Sequence, residues 1–177
     1  MGERVTWTST LRLSDLARGV QSIDLIPPAE TLAEWSKALG LISLPALKAR
    51  VTLRSWLDGA ELSGRFHGQV EQVCGVSLDP FVQDISAEID LRVVPQGSPN
   101  TPIEALAGEV ELDPEAPDPP DVLDGDVIDL AHVLFEHLAL AIDPFPRKPN
   151  AVFEYSAPTA DLSPFSVLKQ LKEKDQS

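Results

Sequence analysis

Three linked segments between Ala46 and Val94 alternate apolar and polar residues with a period of two, and nothing else in the chain constrains its fold as tightly. In the first, Leu47, Ala49, Val51, Leu53 and Leu57 share one face, while Lys48, Arg50, Thr52, Arg54 and Trp56 share the other. Asp58-Gly59 follows, a pair suited to a tight hairpin turn because it tolerates positive φ. The return segment sets Leu62, Phe66, Val70 and Cys74 inward, with Glu61, Arg65, His67, Gln69 and Glu71 outward. Beyond a loop at Gly75–Pro80, a third segment puts Phe81, Ile85, Ala87, Ile89, Leu91 and Val93 on one side. Helices repeat every 3.6 residues, so this alternation predicts an antiparallel β-meander.

Upstream, residues 5–13 alternate well enough for a first strand rich in β-branched and aromatic types, and Gln21–Ile26 predicts a second. After Pro27-Pro28, a helix from Ala29 to Leu39 would bury Leu32, Trp35, Ser36 and Leu39, with Gly40 at its C-terminal cap. Downstream, residues 95–126 hold seven of the sixteen prolines and many carboxylates. Such a stretch buries too little apolar surface to offset its ordering entropy and reads as a mobile acidic loop, with a brief strand at Gly108–Leu112. A helix from Val127 to Ile142 follows, with Asp126 as N-cap, Val127, Leu130, Ala131, Leu134, Leu138 and Ala141 on its apolar stripe, and Asp129, His132 and Glu136 on the polar one. Asp143-Pro-Phe-Pro146 stops it. A strand at Ala151–Tyr155 and a short helix at Ser163–Lys172 complete the reading. The expected fold is α+β: one domain over residues 1–177, an antiparallel meander sheet curling toward a barrel and covered by the helices near 29–39 and 127–142.

With 177 residues the chain suffices for one sizeable core. No apolar run approaches the roughly 20 residues a membrane span requires, and the first residues lack a signal-peptide pattern. One cysteine excludes an internal disulfide and a cysteine-based zinc site within a single chain. The expected address is the cytoplasm. The net charge of −14 is local: from Asp84 to Asp143 there are 15 acidic residues against one basic, Arg92, and the remainder is neutral.

That neutrality leaves room for a basic surface. Lys48, Arg50 and Arg54, with Arg65 and His67 on the partner strand and Trp56 alongside, fall on the outward face of the hairpin. Such a face can grip phosphates and stack a base, as single-stranded RNA requires; the plainer reading is a solvated sheet face that protects an edge. If all four Lys and Arg side chains neutralised phosphates, log K would fall against log salt with a slope of roughly −3. Arg147-Lys148, near Phe145 and Phe153, is a smaller candidate of the same kind.

The remaining chemistry-bearing residues argue against catalysis. His132 and His137 flank Glu136 but point about 140° apart on a helix, whereas metalloprotease histidines sit at i and i+4. Cys74, on the apolar side of its strand, reads as a small buried hydrophobe rather than a nucleophile. Phosphate-loop, dinucleotide and Gly-x-Ser-x-Gly patterns are missing, and carboxylate pairs within proline-rich chain lack the precision catalysis demands. No cofactor, metal or small-molecule substrate is implied.

Three pieces nevertheless line up with a known family. Gln72-Val-Cys74 is followed by Leu78-Asp79-Pro80; Ile128-Asp129-Leu130 by Val133, Glu136, Leu138, Leu140, Pro144 and Pro146; and Ser163-Pro164-Phe165-Ser-Val-Leu168 stands near the end. With Trp35–Leu41 and Leu47-Lys-Ala, these resemble the YceD family of large ribosomal RNA subunit accumulation proteins, in its alphaproteobacterial form, over roughly residues 5–170. The resemblance implies a bacterial, non-enzymatic protein that supports 23S rRNA accumulation or processing and large-subunit assembly by binding rRNA or a precursor particle. It equally implies a link to ribosomal protein L32, so that a second reading is a binding partner or holdase for a basic ribosomal protein through the acidic segment. Many members carry Cys-x-x-Cys where this chain has Cys74-Gly-Val-Ser77, which departs from a metal or redox role at that turn.

Overall fold

The computed structural model describes residues 7–101 and 118–153. Its centre is the meander: β3 (Ser43–Trp56), β4 (Gly59–Val73) and β5 (Pro80–Pro95), paired antiparallel almost end to end. β2 (Gln21–Leu25) adds antiparallel to β3, and β6 (Asp121–Leu123) adds parallel to β5, giving a five-stranded sheet in the order β2-β3-β4-β5-β6. The sheet is therefore mixed and open, ending in β2 and β6, and not the expected wholly antiparallel sheet curling toward a barrel. A second, two-stranded ribbon joins β1 (Thr10–Arg12) to β7 (Val127–Asp129). A 3-10 helix over Leu13–Arg18, α1 (Ala29–Ala38) and α2 (Leu130–Ala141) are the helices among the described residues.

The alternation in the sequence decides which face is buried. Leu47, Ala49, Val51 and Leu53 of β3, Leu62, Phe66, Val70 and Cys74 of β4 and its turn, and Ile85, Ile89 and Val93 of β5 are all buried. Below them, α2 contributes Leu130, Val133, Leu134 and Leu138 to the same core, and α1 contributes Trp35. The Trp35 ring meets Trp7 at 6.1 Å and Phe135 at 5.2 Å, both edge-on, so one aromatic side chain ties the N-terminal segment and both helices together.

Strands this long must coil, and glycine permits it. A Cβ on Gly59 would lie 1.9 Å from the Val93 carbonyl oxygen, and one on Gly64 would lie 2.2 Å from that of Arg50. The neighbouring backbones close into the space a side chain would need.

Four expectations are corrected. Leu57 does not point inward: it is 63% exposed with φ +52, because the turn is centred on Leu57-Asp58 and Gly59 already pairs with Trp56. The first strand is shorter than residues 5–13, since the chain turns into a 3-10 helix at Leu13. The second main helix starts at Leu130, not Val127: Val127–Asp129 pair with β1, and Asp129 is the cap, its Oδ1 accepting from the Ala131 and His132 amides at 3.0 and 3.2 Å. Asp126 instead pairs with Arg12 at 3.6 Å.

The acidic stretch is structured at both described ends. Asp58 accepts from Ser98 Oγ at 3.0 Å and Asn100 Nδ2 at 2.8 Å, and Asp121–Leu123 enter the sheet as β6. The expected strand at Gly108–Leu112 and helix at Ser163–Lys172 lie outside the described residues, and Ala151–Phe153 form no strand.

Two substitutions test this packing. Leu134→Asp places an unpaired carboxylate in the core and is expected to cost several kcal/mol, on the order of the whole stability; a thermal melt left unchanged would refute the arrangement. Gly64→Ala forces two backbones apart and should lower stability by about 1–3 kcal/mol in urea unfolding.

Candidate nucleic-acid interface

The register assembles the basic face more tightly than alternation alone predicts. Lys48 faces His67 across the β3–β4 pair, and Arg50 faces Arg65 two residues further on. All four side chains are exposed, and they line a shallow depression of about 720 Å³ that Thr52 and Ser63 extend. Like charges directly opposite each other destabilise a sheet, so Arg50 beside Arg65 needs compensation.

Carboxylates from the flanking strands provide it. On β2, Asp24 lies opposite Arg50 and takes its Nε at 2.6 Å and Nη2 at 2.9 Å, a two-pronged contact. On β5, Glu88 lies opposite Arg65 and accepts from its Nη2. Across the sheet the row runs acid, base, base, acid. The Arg50 hydrogen bond holds the Asp24 carboxyl below its ordinary range, and Asp24 in turn raises the Arg50 guanidinium. Among the described residues, Lys48 has no carboxylate partner.

Arg54 and Trp56 are committed elsewhere. Arg54 pairs with Glu61, which lies opposite it, and Arg92 reaches the other Glu61 oxygen at 3.2 Å. Glu61 is buried beneath these two guanidinium groups, and its carboxyl is held low by the Arg54 hydrogen bond first and by Arg92 after it, against the burial that would raise it. Arg92 also stacks over the Trp56 ring, 5.3 Å from its centroid, so that aromatic surface is engaged from within the molecule. The predicted six therefore separate: Lys48, Arg50, Arg65 and His67 surround one depression, while Arg54 and Trp56 belong to a neighbouring cluster. Asp24, Glu61, Glu88 and Arg92 were missed. Their signal was parity: Glu61 already stands on the outward face of the return segment, and Asp24, Glu88 and Arg92 join it once the registers of β2 and β5 are known.

The motif positions have architectural roles. Ile128 and Leu130 are buried, Asp129 caps α2, and Glu136 pairs with His132 at 3.1 Å. His137 Nδ1 lies 2.9 Å from the Val133 carbonyl oxygen on its own helix. Cys74, Leu78, Asp79 and Pro80 form the β4–β5 turn, where the Cys74 amide donates to the Asp79 carbonyl and the Leu78 amide to that of Cys74. Leu78 holds φ +61 and is exposed, a conformation seldom adopted by a bulky residue. The segment after α2 packs on this turn: the Pro146 carbonyl accepts from the Gly75 amide at 2.9 Å, Lys148 pairs with Asp79 at 3.5 Å, and Gln72 Nε2 donates to the Asp143 carbonyl at 3.1 Å. Pro144 and Pro146 belong to that segment, and Pro146 is buried.

Cys74 sits where the two stretches meet. It is buried, and its Sγ accepts from the backbone amides of Val76, Ser77 and Lys148, each at 3.4 Å. Donors at the sulfur, Ser77 foremost, outweigh burial and lower the thiol from 9.0 to about 6. Among the described residues, no group of three His, Cys, Asp or Glu side chains is placed to hold a metal ion. A thiol that ionises near 6 when folded and near 9 when unfolded makes the folded state more stable as pH rises across that interval, because the unfolded chain then binds the extra proton. Melting temperature should climb from pH 6 to pH 9 in the native chain, and Cys74→Ser should flatten that climb.

No helix among the described residues is long and apolar enough to cross a membrane. The family model described as large ribosomal RNA subunit accumulation protein YceD matches residues 62–172, taking in the β4–β5 turn, α2 and the segment that packs between them. No curated protein and no solved structure matches the chain at a significant level. The match covers well over half of the sequence and contains all three motif stretches, and on that ground the chain belongs to the YceD family.

Proposed function

We propose that this protein supports large-subunit rRNA accumulation in the cytoplasm by binding 23S rRNA or its precursor, without catalysis, through the outward face of β3 and β4. Family membership carries the reading, since the family's description names large-subunit rRNA accumulation and no reaction. The surface that supports it is the square of Lys48, Arg50, Arg65 and His67 around one depression. A phosphate between Arg50 and Arg65 would relieve their mutual repulsion, and the Ser63 and Thr52 hydroxyls at the rim can donate to the sugar-phosphate backbone. Each arginine already holds one carboxylate, so RNA binds by sharing these guanidinium groups, not by meeting bare charge. Modest affinity and strong salt sensitivity follow.

Because Arg54 lies outside this depression, three Lys and Arg side chains rather than four meet phosphate. The slope of log K against log salt should be roughly −2 on single-stranded precursor RNA. Lys48→Glu with Arg65→Glu should weaken binding about ten-fold or more. Asp24→Asn, which releases Arg50, should tighten it about two- to five-fold. A solvated face with no RNA role predicts no response to any of these changes. In cells, a tagged pull-down with and without ribonuclease should recover 23S precursor with the native chain and lose it with the double variant.

A further inference from the structure

A second surface lies at the other side of the sheet. β5 pairs with β4 from Pro80 to Val93, but its opposite edge meets β6 only at Val93–Pro95. From Phe81 to Arg92, no described residue hydrogen-bonds that free edge through backbone or side chain. α2 meets β5 through the core it shares with Ile85 and Ile89. A strand edge of this length is a template for another strand, and proteins seldom leave one uncovered.

The side chains along this edge specify what it accepts. Val82, Asp84, Ser86, Glu88 and Asp90 alternate on the outward face and are exposed. Asp84 accepts one hydrogen bond from Gln69 at 3.0 Å, Glu88 accepts from Arg65, and Asp90 has no partner among the described residues. A carboxylate offers about four acceptor positions, so all three retain capacity. On the inward face Ala87 and Leu91 are only half-buried, leaving apolar surface beside the edge. A second copy of β5 laid antiparallel would set carboxylate against carboxylate, which disfavours self-association.

We propose that the edge of β5 left unpaired by the described residues binds an extended basic peptide segment of a partner protein by strand addition. The partner's backbone completes the ladder, its alternate lysine or arginine side chains lie beside Asp84, Glu88 and Asp90, and its intervening apolar side chains cover Ala87 and Leu91. This surface adjoins the RNA face on β3 and β4 and shares the Arg65–Glu88 pair with it, but its test reads backbone protection along β5 and so fails or succeeds apart from RNA binding.

Hydrogen exchange on the full chain tests it, with a synthetic alternating lysine–valine peptide as probe. Amides of Phe81–Arg92 that face away from β4 should exchange freely in the free protein and become protected when the peptide is added. Replacing Asp84 and Asp90 together by lysine should weaken the peptide about ten-fold. The same peptide N-methylated at alternate residues, with charge unchanged, should lose its binding. Equal binding of the methylated peptide would reduce the contact to charge alone and overturn strand addition. Absence of binding would overturn it outright, and so would amides already protected in the free chain, which would assign the edge to the chain's own residues.

Discussion

The buried row of β4 is the constraint from which the rest of the molecule follows. Leu62, Phe66 and Val70 are fully buried, and each is flanked on one side by β3 and on the other by β5. Because strand side chains alternate, a slip of one residue in either pairing would turn that row to solvent and bring Glu61, Arg65 and His67 into the core. Register is thus fixed by burial on one face, and the polar face inherits its geometry. The meeting of Arg50 with Arg65 is a by-product of packing Val51 and Phe66 beneath them.

Much of the sheet was legible for this reason. Period-two alternation found β3, β4 and β5, and α1 announced itself through its apolar spacing and Gly40, which does hold positive φ. Local signals misled where a long-range partner decided the outcome. Val127–Asp129 fit the start of a helix until Thr10–Arg12 paired with them, and Asp58-Gly59 resembled a turn centre until Gly59 paired with Trp56, with the Val93 backbone too close for a side chain. A three-residue parallel strand such as β6 leaves almost no trace in sequence, since only its partner's exposed edge defines it.

The candidate site was half legible. Alternation placed Lys48, Arg50, Arg65 and His67 on one face, but it could not say which charges were already answered. Asp24 and Glu88 reach the arginines from strands that sequence spacing does not relate to them, and they turn a basic stripe into a balanced row. The motif residues show the converse. They form a recognisable signature, yet Cys74, Asp129 and Pro146 hold turns and caps together, so what marks the family in sequence is largely its scaffold.

The parallel pairing of β6 with β5 also bears on how this chain can vary. Val93–Pro95 and Asp121–Leu123 lie side by side, so the chain between them begins and ends at one place on the sheet. Asp58 clasps its first residues through Ser98 and Asn100. Closing a flexible loop grows costlier only slowly with length, by about 0.6 kcal/mol for each doubling. Because both ends are anchored side by side, a change of length between them need not move either strand. The parallel pairing of β6 thus gives β5 a second neighbour without fixing how many residues separate the two.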